Sequence, residues 1–390
     1  MDKGHISARY SGRVAADQAV PDTLMGRLYE VNWLLVALII LVGAVGVVMI
    51  FAATDGNWHA GALKHLLRLS IAAVLMLCVA VVNIRIWYLL AYPIYLLALL
   101  LLGAVDFFGV EVNGSVRWLD LKIMRLQPSE IMKLAIVLAL ARYYHDLPAW
   151  RVSKVSGLAG AFIIIGIPMQ FIIRQPDLGT TILLGATGLA LVFLSGVNWR
   201  VMLGGALSSA VAIPLFYMHG LKDYQRARID TLWSPDADPL GASYHITQSK
   251  IALGSGGING KGFLQGTQRS GDYVPENTTD FIFTVIGEEF GLIGSLATIF
   301  LYAMLIGLCL FLSTQAKHLF SRLLILGVTT TFTLYVFINL AMVMGLIPVV
   351  GVPLPLISYG GTVVLAVMLG FGLVLSALLF RRAELPRSSG

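Results

Sequence analysis

A small set of acidic and basic side chains stands at the heads of apolar runs, and these are the candidates for chemistry. Asp280 follows Thr278 and Thr279 and precedes Phe281-Ile-Phe283. A carboxylate at the head of a helix often serves as a cap or as a partner of the macrodipole. A partly desolvated carboxylate at an interface is also what a general base requires. Glu288 and Glu289 lie two turns further on, and Asp280 and Glu288 share a helix face to within about 80°. For these two glutamates structural pairing is expected, Glu289 with a basic residue on a neighbouring span. Glu130 and Lys133 are spaced i, i+3, which makes a local ion pair; alternatively Lys133 offers its charge to a phosphate while Glu130 holds it in place. Arg117 beside Trp118 adds a second charge and an aromatic plane. Asp177, after Pro176, is a helix cap or a substrate contact.

A second basic set is interleaved with aromatics. Lys222, Arg226, Arg228, Lys250, Lys261 and Arg269 stand among Tyr224, Trp233, Tyr244, His245 and Tyr273. That mixture suits diphosphates and sugar rings as well as nucleic acid. Asp236-Ala-Asp238 superficially matches the Asp-x-Asp metal motif of nucleotide-sugar transferases, but prolines on both sides mark a turn. Gly254-Ser-Gly-Gly-Ile-Asn-Gly-Lys261 is like a phosphate-cradling loop. It is not a P-loop, because the glycine spacing is off by one and Gly262 stands where Ser or Thr is needed. A glycine-rich nest for another phosphate stays open.

These residues must be positioned by membrane helices. The 390 residues are 57% hydrophobic and 12% charged, about half the charge of a soluble chain. Apolar runs fall at about Trp33–Ala53, Leu66–Val82, Trp87–Val105, Gln127–Tyr144, Val155–Ile173, Thr180–Val197, Val201–Met218, Phe281–Leu312, Leu323–Gly345 and Gly360–Phe380. Each approaches the roughly 20 residues that cross a bilayer, and the eighth is long enough for a span plus about two interfacial turns. The fold expected is an all-α, ten-span bundle. Its parts are a polar tail at 1–32, spans one to seven at 33–218, a large loop at 219–279, spans eight to ten at 280–380, and a tail at 381–390. The tail before Trp33 lacks the apolar core of a signal peptide. Cys78 and Cys309 lie inside apolar runs and read as small packing residues. This composition excludes a disordered chain, a disulfide scaffold and a DNA-binding domain.

Orientation follows from Lys and Arg in tails and short loops. Fourteen fall on the side of the termini and seven on the other, with six in the long loop. Both termini are therefore expected in the cytoplasm, with the loop outside, where nucleic acid is no partner. Net charge of +6 suits anionic lipid or a phosphate-bearing substrate. Spans four, six, eight and ten all open on the outer face, and their heads hold Glu130, Lys133, Asp177 and Asp280. Ionisable residues near hydrocarbon are functional candidates, and here they describe a half-buried outward cavity. Pro348, Pro353 and Pro355 forbid a regular helix before span ten; such irregular backbone lines a cavity wall.

The ordered motifs resemble the SEDS family (shape, elongation, division, sporulation). They are Gln127-Pro-Ser-Glu130, Gln175-Pro-Asp-Leu-Gly179, Asp238-Pro-Leu-Gly241, Tyr244-His-Ile, Gln248-Ser-Lys-Ile-Ala, Pro275-Glu276, Thr279-Asp280-Phe281, Glu288-Glu289 and Leu354-Pro-Leu-Ile-Ser-Tyr-Gly-Gly361. The resemblance runs from about Trp33 to Phe380 and is nearer the elongation branch than the division branch. It implies polymerisation of lipid II into glycan strands in the bacterial inner membrane, with a class B penicillin-binding protein as transpeptidase partner. It also implies that Asp280 is the family's essential aspartate. Many relatives have His two residues before that Asp, where this chain has Thr278. Asp280 is then the expected base, with Arg117, Glu130, Lys133, Asp177, Arg226, Lys250, Lys261 and Glu276 as the substrate set. No cofactor is required, although a divalent cation could share the diphosphate's charge. A lipid II flippase and a non-catalytic scaffold for the transpeptidase are the competing readings.

Overall fold

A computed structural model describes residues 23–112, 115–120, 122, 125–175, 177–220, 226, 242–267 and 276–386. The 1–22 tail, Asp236-Ala-Asp238, and Lys222, Arg228 and Arg269 of the basic set lie outside the described residues. A short helix α1 (Leu24–Tyr29), capped by Thr23, precedes α2 (Trp33–Ala53), which Asn32 caps through a 3.0 Å bond from Leu35 N. A π-helical turn at Trp58–Ala62 leads into α3 (Leu63–Ala80), so this helix starts ahead of the expected Leu66. Next come α4 (Ile84–Phe108), α5 (Pro128–Asp146), α6 (Val155–Arg174), α7 (Leu178–Leu194) and α8 (Trp199–His219). Beyond the long loop's α9 (Ala242–Ser255) run α10 (Ile282–Ser313), α11 (Leu319–Val343) and α12 (Gly361–Leu379).

Every expected apolar run is helical, as it must be where the chain has no water to satisfy its backbone. Seven of these helices are long and apolar enough to cross a membrane, and α7 is a shorter apolar helix. The central members are α12 and α11. In the apolar window of α12 89% of residues are buried, against 28% for α4 and α6, which lie at the rim. Helix α12 packs chiefly along α3, with α11 and α5 beside it.

The helical bundle carries one non-helical element. Between α4 and α5 lies a small antiparallel sheet of β1 (Val110–Val112), β2 (Ser115–Asp120) and β3 (Arg125–Leu126) in the order β1-β2-β3. Val112 pairs with Ser115, so two residues separate the strands, and in the sequence these are Asn113-Gly114. Asn-Gly between alternating apolar residues is a strong hairpin signal.

Helix α10 is broken where the sequence left spare length. Gly291 has φ 63 and ψ −154, a conformation reserved for glycine. From Ile282 to Glu289 every residue is buried, whereas beyond the break one face points outward. The backbone groups freed by the break are taken up by the glycine-rich segment after α9. Lys261 N and Gly262 N donate to Glu288 O and Glu289 O at 3.0 Å each, while Leu292 N and Ile293 N donate to Gly257 O and Ile258 O at 3.0 and 3.2 Å. Only glycine permits this approach: a methyl on Gly260, already at φ +80, would stand 2.1 Å from Glu289 O.

Candidate functional site

The heads of α5, α7, α10 and α12 converge on one cavity of about 380 Å³ at one end of the bundle. Its lining includes Arg117, Glu130, Lys133, Asp177, Glu276 and Asp280, which are six of the nine expected site residues. Pro353 and Tyr359, from the proline-rich segment before α12, form another part of the wall as expected.

Helix α5 starts with Pro128, whose fixed φ suits a first helical turn. One turn on, Lys133 Nζ lies 2.7 Å from Glu130 Oε1, both side chains being almost wholly buried. Tyr335 of α11 donates to Glu130 Oε2 at 2.5 Å. Lys133 Nζ donates to the Tyr335 hydroxyl in turn and sits 4.4 Å from its ring centroid. A lysine has three donors; two are used here, and the third has no partner among the described residues.

Strand β2 brings in Arg117, placed by the turn between α6 and α7. Its Nε donates to Gln175 O at 3.2 Å, and its Nη1 lies 3.5 Å from Asp177 Oδ2. Asp177 caps α7, accepting from Thr180 N at 3.0 Å, so one carboxylate serves as both cap and ion-pair partner. Trp118 and Gln127 line the cavity alongside.

Asp280 is held through its backbone. Three successive carbonyls accept from donors outside the helix: Thr278 O from Tyr359 N at 2.8 Å, Thr279 O from Ser358 Oγ at 2.5 Å, and Asp280 O from Asn339 Nδ2 at 2.7 Å. The carboxylate faces glycine, since a methyl on Gly351 would stand 3.5 Å from Asp280 Oδ2. Glu276 has φ 56, unusual without glycine. It closes the preceding turn, its Oε2 accepting from Thr279 Oγ1 at 2.7 Å.

Three expected contacts lie elsewhere. Arg226 donates to Tyr217 O and Met218 O at 3.1 and 2.6 Å, satisfying carbonyls at the end of α8. Lys250 lies against Gly345, beyond α11. Lys261 Nζ is 2.7 Å from Glu288 Oε1 and also donates to Thr267 Oγ1 at 2.7 Å. The glycine-rich segment thus clasps a broken helix, and Glu288 is paired by a loop lysine rather than by a basic residue on a neighbouring span. Tyr335 and Asn339 are new to the site. Four apart on α11, they share a face, and polar side chains inside an apolar run were the signal. Among the described residues no group of three or more His, Cys, Asp or Glu is placed to hold a metal.

A helical membrane bundle with a charged cavity at one end, lined by a carboxylate fixed through its backbone and by two cations, defines an integral membrane protein with a polar site set into an apolar bundle. The family model for the FtsW, RodA and SpoVE cell cycle proteins matches residues 30–383, and the chain belongs to that family, the one its motifs resemble. The peptidoglycan glycosyltransferase MrdB of Escherichia coli strain K12 is 44% identical over 309 residues, covering 79% of this chain and 83% of that protein. A solved chain of a peptidoglycan synthase complex that coordinates polymerization and crosslinking superposes with TM-score 0.80 at 29% identity, covering 91% and 99% of the two chains. The crystal structure of the rod shape determining protein RodA of Thermus thermophilus gives TM-score 0.68 at 27% identity, covering 90% and 97%.

Proposed function

We propose that this chain is a peptidoglycan glycosyltransferase that joins lipid II units into glycan strands for cell elongation. In this reading the chain crosses the inner membrane ten times, and the excess of Lys and Arg on the side of the termini supports cytoplasmic termini with the cavity at the outer face. The observation that carries this reading is one cavity holding a fixed carboxylate and two cations, Asp280 with Lys133 and Arg117. Lipid II carries its disaccharide on a membrane-anchored diphosphate. The Asp280 carboxylate takes the proton of the acceptor sugar hydroxyl, and that oxygen attacks the anomeric carbon of the donor from the face opposite the diphosphate. The bond from that carbon to the diphosphate oxygen breaks, and the departing oxygen keeps the electron pair. Arg117 and the third donor of Lys133 neutralise it. The configuration inverts.

A class B penicillin-binding protein is the expected partner. The chain has no Ser-x-x-Lys with a Lys-Thr-Gly set for cross-linking stem peptides, and the solved relative above belongs to a synthase complex. An alternating-access flippase would spread ionisable groups through the bilayer depth, whereas the cavity's charged residues gather at one end.

The test is Asp280→Asn in the reconstituted complex supplied with labelled lipid II. Loss of glycan chains is expected with the bundle still folded. Intact polymerisation would transfer the chemistry to another protein and leave this chain a scaffold.

A further inference from the structure

Helix α12 begins with unmet donors beside the same cavity. Its N-cap is Gly360, which has no side chain to accept from the first turn. Among the described residues the N–H groups of Gly361, Thr362 and Val363 have no acceptor. Thr362 lines the cavity and is only 5% exposed, and its Oγ1 has no hydrogen-bond partner. Buried Thr329 and Thr331 of α11, by contrast, return their hydroxyls to the carbonyl four residues back, at 2.7 and 2.9 Å. A buried hydroxyl left unmet is destabilising, so its place calls for an occupant.

A cation completes the arrangement. The Arg68 guanidinium of α3 lies 4.6 Å from the ring centroid of Tyr359, itself part of the cavity wall. Arg68 Nε would stand 3.5 Å from a methyl on Gly361, which puts the charge at the head of α12. Stacking occupies one face of the guanidinium and leaves its edge donors for an anion. Arg68 has no acidic partner among the described residues. Backbone donors at a helix N-terminus, a hydroxyl and an arginine together form an anion site.

Polymerisation involves two lipid-linked diphosphates at once, one departing and one retained. Arg117 and Lys133 serve the first. We infer that the head of α12, with Thr362 and Arg68, is a second subsite, which binds the diphosphate of the substrate that keeps it. This inference rests on the polymerase reading above. It gives the cavity two cation sets drawn from different elements, β2 and α5 for one and α3 and α12 for the other.

The probe is undecaprenyl diphosphate, counted by native mass spectrometry on the protein in phosphatidylcholine nanodiscs. The unaltered protein should bind two molecules. Thr362→Val with Arg68→Gln should bind one, and Lys133→Met should also retain one, at the other subsite. Thr362→Val alone should weaken the second event by about tenfold, equivalent to about 1.4 kcal/mol, whereas Thr362→Ser, which keeps the hydroxyl and guards against misfolding, should bind two. Two molecules on the doubly altered protein would overturn the inference. So would loss of the second molecule when phosphatidylglycerol is added at equal mole fraction, which would make this a general lipid-headgroup site. The count does not depend on turnover. Continued polymerisation by Asp280→Asn would remove the polymerase reading and leave the count unchanged.

Discussion

Asn339 Nδ2 donates to the main-chain carbonyl of Asp280 at 2.7 Å, and the same amide holds Val352 O at 2.8 Å. Asn339 therefore ties α11 both to the head of α10 and to the proline-rich wall. With Ser358 and Tyr359 on the two preceding carbonyls, the backbone that carries the proposed base is fixed from outside its own helix. The carboxylate itself is left to the cavity and the groups around it. Such rigidity matters because a displacement of about 1 Å can cost about 100-fold in rate.

Replacing Asn339 by Leu keeps the volume and removes both donors. The buried Val352 carbonyl loses its partner, at about 1–3 kcal/mol, and the part-buried Asp280 carbonyl loses one too, so the melting temperature in detergent should fall. Maximal glycan synthesis should fall about 100-fold with lipid II affinity little changed, because Asn339 does not line the cavity. Ser358→Ala should give the same pattern more weakly. Steady-state kinetics on the partner complex would show it. A stability loss with the maximal rate preserved would make Asn339 a structural staple only.

The pairing of Lys261 with Glu288 makes a different forecast. Glu288 is 1% exposed, and removing one partner of a buried ion pair typically costs about 3–5 kcal/mol. Lys261→Met should therefore loosen the clasp on the α10 break and reduce both stability and polymerisation. Adding Glu288→Gln removes the stranded charge and should restore both. Persistent inactivity of the well-folded double variant would return Lys261 to the substrate set.

How much of this could be read in advance varies with the kind of signal. Apolar runs located the helices because a bilayer leaves the backbone few other solutions. The cavity residues Asp280, Lys133, Glu130 and Asp177 were legible because charge at the head of an apolar run is costly unless used, and Arg117, on β2, because it stands beside Trp118. Lys261 misled because a glycine-rich segment ending in lysine fits a phosphate as well as it fits the backbone of a broken helix, and spacing does not distinguish them. The break itself rests on Gly291, one glycine among 40. Tyr335 could not be paired with Glu130 from spacing, since 205 residues separate them.

Asp177 separates a cap from a charge partner. Asp177→Asn keeps a side-chain oxygen for Thr180 N, and Asn caps about as well as Asp. Stability should change by no more than about 0.5 kcal/mol. Arg117 loses its carboxylate at 3.5 Å but keeps Gln175 O, so its charge is less firmly aimed. The half-saturating lipid II concentration should rise several-fold with the maximal rate nearly unchanged. Asp177→Ala should show the same kinetic change plus about 1 kcal/mol of lost cap. An unchanged half-saturation in both variants would remove Arg117 from the diphosphate site.

The Glu130–Lys133–Tyr335 cluster decides whether Lys133 is structural or chemical. The hydroxyl of Tyr335 has one proton, which goes to Glu130, so Lys133 must donate to the phenol oxygen as well as to Glu130. The cluster is closed on itself except for one ammonium donor beside the cavity. Lys133→Met fills a similar volume without charge and strands Glu130, whose residue is 4% exposed, at about 3–5 kcal/mol. Glu130→Gln with Lys133→Met removes both charges and keeps an oxygen for Tyr335, so thermal stability should largely return. Glycan synthesis should not, because the departing diphosphate still lacks its cation. Tyr335→Phe is the complementary probe. It leaves Lys133 charged and paired with Glu130 at 2.7 Å, so polymerisation should be reduced but not abolished. Recovery of synthesis together with stability in the double variant would make Lys133 the structural partner of Glu130 and leave Arg117 to meet the diphosphate.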